Sequence, residues 1–67
     1  MRQYRLYELD YRSRVFKPAI WIDADSDSMA TEVATALLDE RAIEIWEGRR
    51  IVSCLKPDKR KRVSVAN

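Results

Sequence analysis

Asp25-Ser26-Asp27-Ser28-Met29-Ala30-Thr31-Glu32-Val33-Ala34-Thr35-Ala36-Leu37-Leu38 is the stretch on which the fold turns. Ala30, Val33, Ala34, Leu37 and Leu38 follow the i, i+3, i+4, i+7, i+8 spacing, which places all five on one stripe of a helix. The four residues that open the stretch alternate carboxylate and hydroxyl. Their oxygens can accept from the orphan N–H groups of a first turn, and the carboxylates complement the helix dipole there. The pattern predicts a helix within 26–40, capped by Ser26 or Asp25, with Arg41 at the end where a cation suits the dipole.

Both flanks read as hairpins. Tyr4 to Asp10 and Val15 to Asp23 are rich in aromatic and β-branched residues, with Tyr11-Arg12-Ser13-Arg14 between them as a turn. Setting Asp10 against Val15 brings Glu8 opposite Lys17 and Leu9 opposite Phe16, one opposite-charge pair and one aromatic–aliphatic pair. Pro18 has no N–H to give to a ladder, so the second strand lies at an edge or begins with irregular pairing. Downstream, Ala42 to Glu47 and Arg50 to Lys56 flank the single glycine. A tight loop at Gly48-Arg49 sets Glu47 against Arg50, Trp46 against Ile51 and Ile45 against Val52. The expected fold is therefore α+β in the order β-β-α-β-β, a small, mainly antiparallel four-stranded sheet with one helix packed on one face.

Following the registers sorts the side chains onto two faces, because strand side chains alternate. Tyr7, Leu9, Phe16, Ile20, Ile22, Ile43, Ile45, Val52 and Cys54 form the bed expected under the helix. Tyr4, Leu6, Trp21, Trp46 and Ile51 fall on the other face, with Leu55 at its margin, diluted by Glu8, Lys17, Asp23 and Glu44. A slip of one residue in any register would exchange the faces of that strand. One helix covers one face, and monomers rarely expose an apolar patch beyond roughly 300–600 Å². The expected consequence is a homodimer packed through the open face or a sheet edge, with Tyr4, Leu6, Trp21, Trp46 and Ile51 as its candidate residues.

Length and composition narrow the function. The chain has 67 residues, 46% of them apolar and 36% charged, so it reads as one small globular domain. A chain this short buries only about 60% of the surface its unfolded form exposes, and a second copy would add to a thin margin. Residues 1–55 carry eight basic and ten acidic side chains, whereas residues 56–67 carry five basic and one acidic. The reading is a domain over 1–56 and a basic, solvated tail over 57–67. With one Cys and no His, neither an intramolecular disulfide nor the usual zinc sites can be built. The longest uncharged run, Val33 to Leu38, is far too short for a membrane span or a secretory signal, so the expected compartment is the cytoplasm.

The motifs lead away from catalysis. Asp23-x-Asp25-x-Asp27 opens like a calcium loop, but Ser28 and Ala34 stand where that loop needs Gly and a bidentate Glu. Helix capping explains the carboxylates better. Cys54 lacks an imidazole to activate it and reads as a small apolar residue of the core face. There is no Gly-rich phosphate cradle, no nucleophile elbow and no carboxylate dyad. The sequence thus points to a protein that is not an enzyme, with no cofactor, metal, membrane or small-molecule substrate. Nucleic acid is the second reading: Lys59, Arg60, Lys61 and Arg62 could neutralise phosphates while open-face aromatics stack bases. Against it stand the acidic balance of residues 1–55 and the absence of an RNP-like aromatic motif.

Tyr4-Arg5-Leu6-Tyr7, Ala19 to Asp27, Ala36-Leu37-Leu38-Asp39 and Ala42 to Val52 together resemble a group of short alphaproteobacterial proteins of β-β-α-β-β pattern. The likeness spans about residues 2–56. It implies a bacterial, cytosolic origin and carries no catalytic signature and no established function.

Overall fold

The computed structural model describes residues 1–15 and 17–57. Phe16 and most of the basic tail, Lys59, Arg60, Lys61 and Arg62 included, lie outside the described residues. Four strands and one helix follow in the order β1 (Arg2–Glu8), β2 (Ile20–Ala24), α1 (Asp27–Leu37), β3 (Ile43–Glu47) and β4 (Arg50–Leu55). The sheet is antiparallel throughout with strand order β2-β1-β3-β4, so β1 is central and the connection through α1 crosses over it. The α+β class and element order expected from the sequence are those observed. Among the described residues no helix is long and apolar enough to cross a membrane.

The helix begins where its polar opening dictates. Ser26 is the N-cap, its Oγ accepting from the Met29 N–H at 3.1 Å, and Asp27 supplies the first-turn carboxylate. It ends earlier than the stripe implied, with Leu38 already extended as the C-cap. That turn of backbone keeps Leu38 buried but sends Leu37 toward solvent, and Arg41 lies beyond the last turn. Ala30 and Ala34 are fully buried, and these small side chains let the helix lie close on the sheet. The core beneath it consists of Tyr4, Leu6, Ala24, Ile43 and Ile45, with Ile20, Ile22, Val52 and Leu55 packed around them.

The first hairpin corrects the expected register. Asp10 does not pair with Val15. Its carboxylate accepts from the backbone N–H groups of Arg12 and Arg14, its own N–H reaches Arg14 O, and Ser13 takes φ +63°. This wider turn pairs Leu9 with Val15, and the regular ladder resumes only at Leu6 with Ile20. Two residues of the first strand then stand against four of the second, and Pro18 lies in the part that forms no ladder. The net shift is one residue, and β1 turns over. Tyr4 and Leu6, assigned to the open face by sequence, are the fully buried residues under the helix. Tyr7, assigned to the core, faces outward, and Leu9 is buried at the rim rather than in the main cluster. Lys17 still reaches Glu8, as an ion pair of 3.3 Å.

The second hairpin has the expected loop, with Gly48 at φ +59°, a conformation glycine adopts without strain. Glu47 faces Arg50 and Trp46 faces Ile51 as expected, but Ile45 faces Ser53, which leaves Val52 as an extra residue on β4. Val52 therefore still packs on the core, whereas Cys54, expected there too, is exposed beside Glu44, and Leu55, expected at the margin of the open face, is turned by the bulge onto the core beside Ile43.

An ion cluster ties the N-terminus of α1 to the ends of β1, β3 and β4. Arg2 donates twice to Glu47, and Arg50 donates twice to Asp27 at 2.9 and 3.0 Å. The hydroxyl of buried Tyr4 donates to Asp27 at 2.9 Å, so the cluster also anchors a core side chain. Hydrogen bonds from Arg50 and then Tyr4 lower the Asp27 carboxyl to about 2, and those from Arg2 and then Arg50 lower Glu47 to about 2. Burial, and next the bond to Asp27, raises the Tyr4 phenol above its usual value.

Two outcomes are expected. Carboxylates held below their unfolded values stabilise the fold fully above the ordinary range, 3.8 for Asp and 4.5 for Glu, and lose that contribution as pH falls toward 2. The urea midpoint should thus drop between about pH 5 and pH 2, and Arg50→Leu should flatten that drop while lowering the midpoint at neutral pH. Ala34→Leu should overpack the closest part of the helix–sheet contact and lower stability by about 1–3 kcal/mol, read from the urea midpoint at constant slope.

Candidate interaction face

The sheet face opposite the helix is built in rows, one side chain from each strand in register. The middle row runs Trp21 on β2, Arg5 on β1, Trp46 on β3 and Ile51 on β4. The row beside it runs Tyr7, Glu44 and Cys54, and the one on the other side pairs Asp23 with Gln3. Trp21 is 64% exposed and Ile51 48% exposed. Trp46 and Tyr7 are half-buried by their neighbours.

Arg5 organises this face. Its guanidinium carbon lies 5.6 Å from the centre of the Tyr7 ring, 6.0 Å from Trp21 and 5.9 Å from Trp46, within the range of cation–π attraction for all three. It also donates to the Tyr7 hydroxyl at 3.1 Å and to the carbonyl oxygen of Gly48 in the β3–β4 turn. The Trp46 indole N–H donates to Glu44 at 3.1 Å, which fixes that ring on its other side. The three rings are thus held around one cation, and the carboxylates of Asp23 and Glu44 stand in the flanking rows. Arg5, Tyr7, Val15, Glu44 and Trp46 enclose a shallow open hollow of about 440 Å³.

Of the residues singled out by sequence, Trp21, Trp46 and Ile51 share this face, and Tyr4 and Leu6 are in the core. Arg5 was not among them, and Tyr7, expected under the helix, stands on this face instead. The signal for them was the charge on Arg5: odd-numbered residues of β1 could not be the buried set with an arginine at mid-strand. The three aspartates of the calcium-like spacing are apart in role, with Asp23 on the open face and Asp27 in the ion cluster. No family model matches the chain, and no curated protein or solved structure matches it either.

Arg5→Met should keep the aliphatic stem but remove the cation from between the rings. The expected loss is about 1–2 kcal/mol by urea denaturation, since three cation–π contacts on a partly desolvated group do not add fully. Ring proton shifts of Tyr7, Trp21 and Trp46 should change, while the methyl groups of Leu6 and Ile45 should not.

Proposed function

We propose that the protein is a non-enzymatic interaction module that forms a homodimer through its open sheet face. The observation that carries this reading is the row Trp21, Arg5, Trp46 and Ile51, which no element among the described residues covers, since α1 lies on the opposite side of the sheet. Such a patch on a small domain gains most by being covered. The sheet edges are poorer candidates. The β2 edge has five residues, Pro18 just before it and Asp23 within it, and the β4 edge is broken by the extra residue Val52. Short strands, charges, prolines and bulges are the devices that discourage edge pairing.

The charge on the face favours a second copy over nucleic acid. Phosphates approaching Arg5 would also meet Asp23 and Glu44, whereas a second copy offers both signs in return. Four strands at about 4.8 Å spacing and five residues at about 3.3 Å give a face only some 20 Å on a side, smaller than the roughly 800 Å² per partner of a standard stable interface and in the range of weak, transient ones. The dissociation constant should accordingly be on the order of micromolar.

Sedimentation velocity across a concentration series should show a reversible monomer–dimer equilibrium. Ile51→Lys, at an exposed site on the same row, should shift it to monomer without lowering the urea midpoint measured well below the wild-type dissociation constant, where both chains are monomers. A wild-type chain that stays monomeric at about 100 µM removes the reading, and single-stranded RNA bound at low salt by that monomer would point to the nucleic-acid alternative.

A further inference from the structure

The open face carries a projection and a recess of matching chemistry. Trp21 stands proud on edge strand β2, 64% exposed, and among the described residues its indole N–H has no hydrogen-bond acceptor. An indole that enters an interface usually finds a partner for that N–H. On the other side of β1, the hollow between Arg5, Tyr7, Val15, Glu44 and Trp46 is lined mainly by apolar surface and has one carboxylate, that of Glu44. Glu44 already accepts from Trp46 Nε1 and keeps lone pairs for further donors. The indole of Trp46 shows that this carboxylate is reached by a ring lying on the face.

A two-fold interface requires such a pair on one surface, because residue i meets residue j of the partner and j meets i. Projection and recess flank β1, so a two-fold axis over that strand would bring each into the other. Resting on the dimer proposed above, we infer that Trp21 of each copy inserts into the partner's hollow against Tyr7, Val15 and Trp46 and donates its N–H to Glu44. The two Arg5 groups near the axis then share the interface with four carboxylates, two from Asp23 and two from Glu44, so they are not left as a bare pair of cations.

The test uses two variants of the whole chain. Trp21→Ala removes the projection, and Val15→Arg, at a half-exposed site on the hollow's wall, fills the recess and reaches toward Glu44. Each alone should raise the dimer dissociation constant about tenfold or more, with far-UV circular dichroism and the urea midpoint checking that each still folds. Mixed together, they should recover dimer, since the heterodimer keeps one intact projection facing one intact recess. A wild-type dimer that Trp21→Ala leaves unchanged, or variants that fail to recover dimer when mixed, would overturn this contact while leaving the dimer in place. A monomeric wild type would overturn both.

Discussion

A charge at the middle of a central strand has to leave the sheet by one face or the other, and that requirement orients everything else in this protein. β1 is paired on both sides, so Arg5 cannot reach water around an edge. Under the helix its guanidinium would be buried without an acid of its own, at a cost of several kcal/mol. Arg2 and Glu8 lie on the opposite parity but at the strand ends, where side chains extend past the helix into solvent or to partners. The parity with charges at its ends therefore goes inside, and Tyr4 and Leu6 become the floor of the core.

From that orientation the rest follows with little freedom. Once Tyr4 faces the helix, its hydroxyl needs a partner, and Asp27 in the first turn of α1 provides one at 2.9 Å. The same carboxylate draws in Arg2 and Arg50, so one residue of the helix start links β1 and β4 directly to the helix, and Glu47 brings in β3 through the two arginines. On the far side, Arg5 is left among the rings of Tyr7, Trp21 and Trp46. One side of β1 thus ends in a capped and neutralised cluster, and the other in a surface that no element among the described residues covers.

The parts of this arrangement that local chemistry controls were legible in the sequence. Ser26 as the cap, the alanine stripe, the Gly48 turn and the pairing of Trp46 with Ile51 rest on neighbours a few residues apart. Pro18 announced an irregular start to an edge strand, and β2 does begin only at Ile20. What could not be read was the turn after β1, where the Asp10 carboxylate folds back on two N–H groups and the loop takes in Asp10 itself, one residue more than expected. A plausible pair such as Leu9 with Phe16 weighs little against that turn and against the cost of burying Arg5. The extra residue at Val52 was likewise hidden, since Ile45 opposite Val52 is an acceptable pair and nothing local marks the bulge that turns over Ser53, Cys54 and Leu55.

The chemistry of the uncovered face also sets how strongly it should seek cover. An arginine lying across aromatic rings shields part of their surface from water while its own charge stays hydrated at the rim. Three rings gathered around Arg5 therefore present less bare apolar area than three rings apart, and the carboxylates of Asp23 and Glu44 break up the margins. A wholly aliphatic face of the same size would drive indiscriminate aggregation. This one has fixed rings, both signs of charge and directional donors, so it discriminates by geometry, and its small extent keeps association reversible.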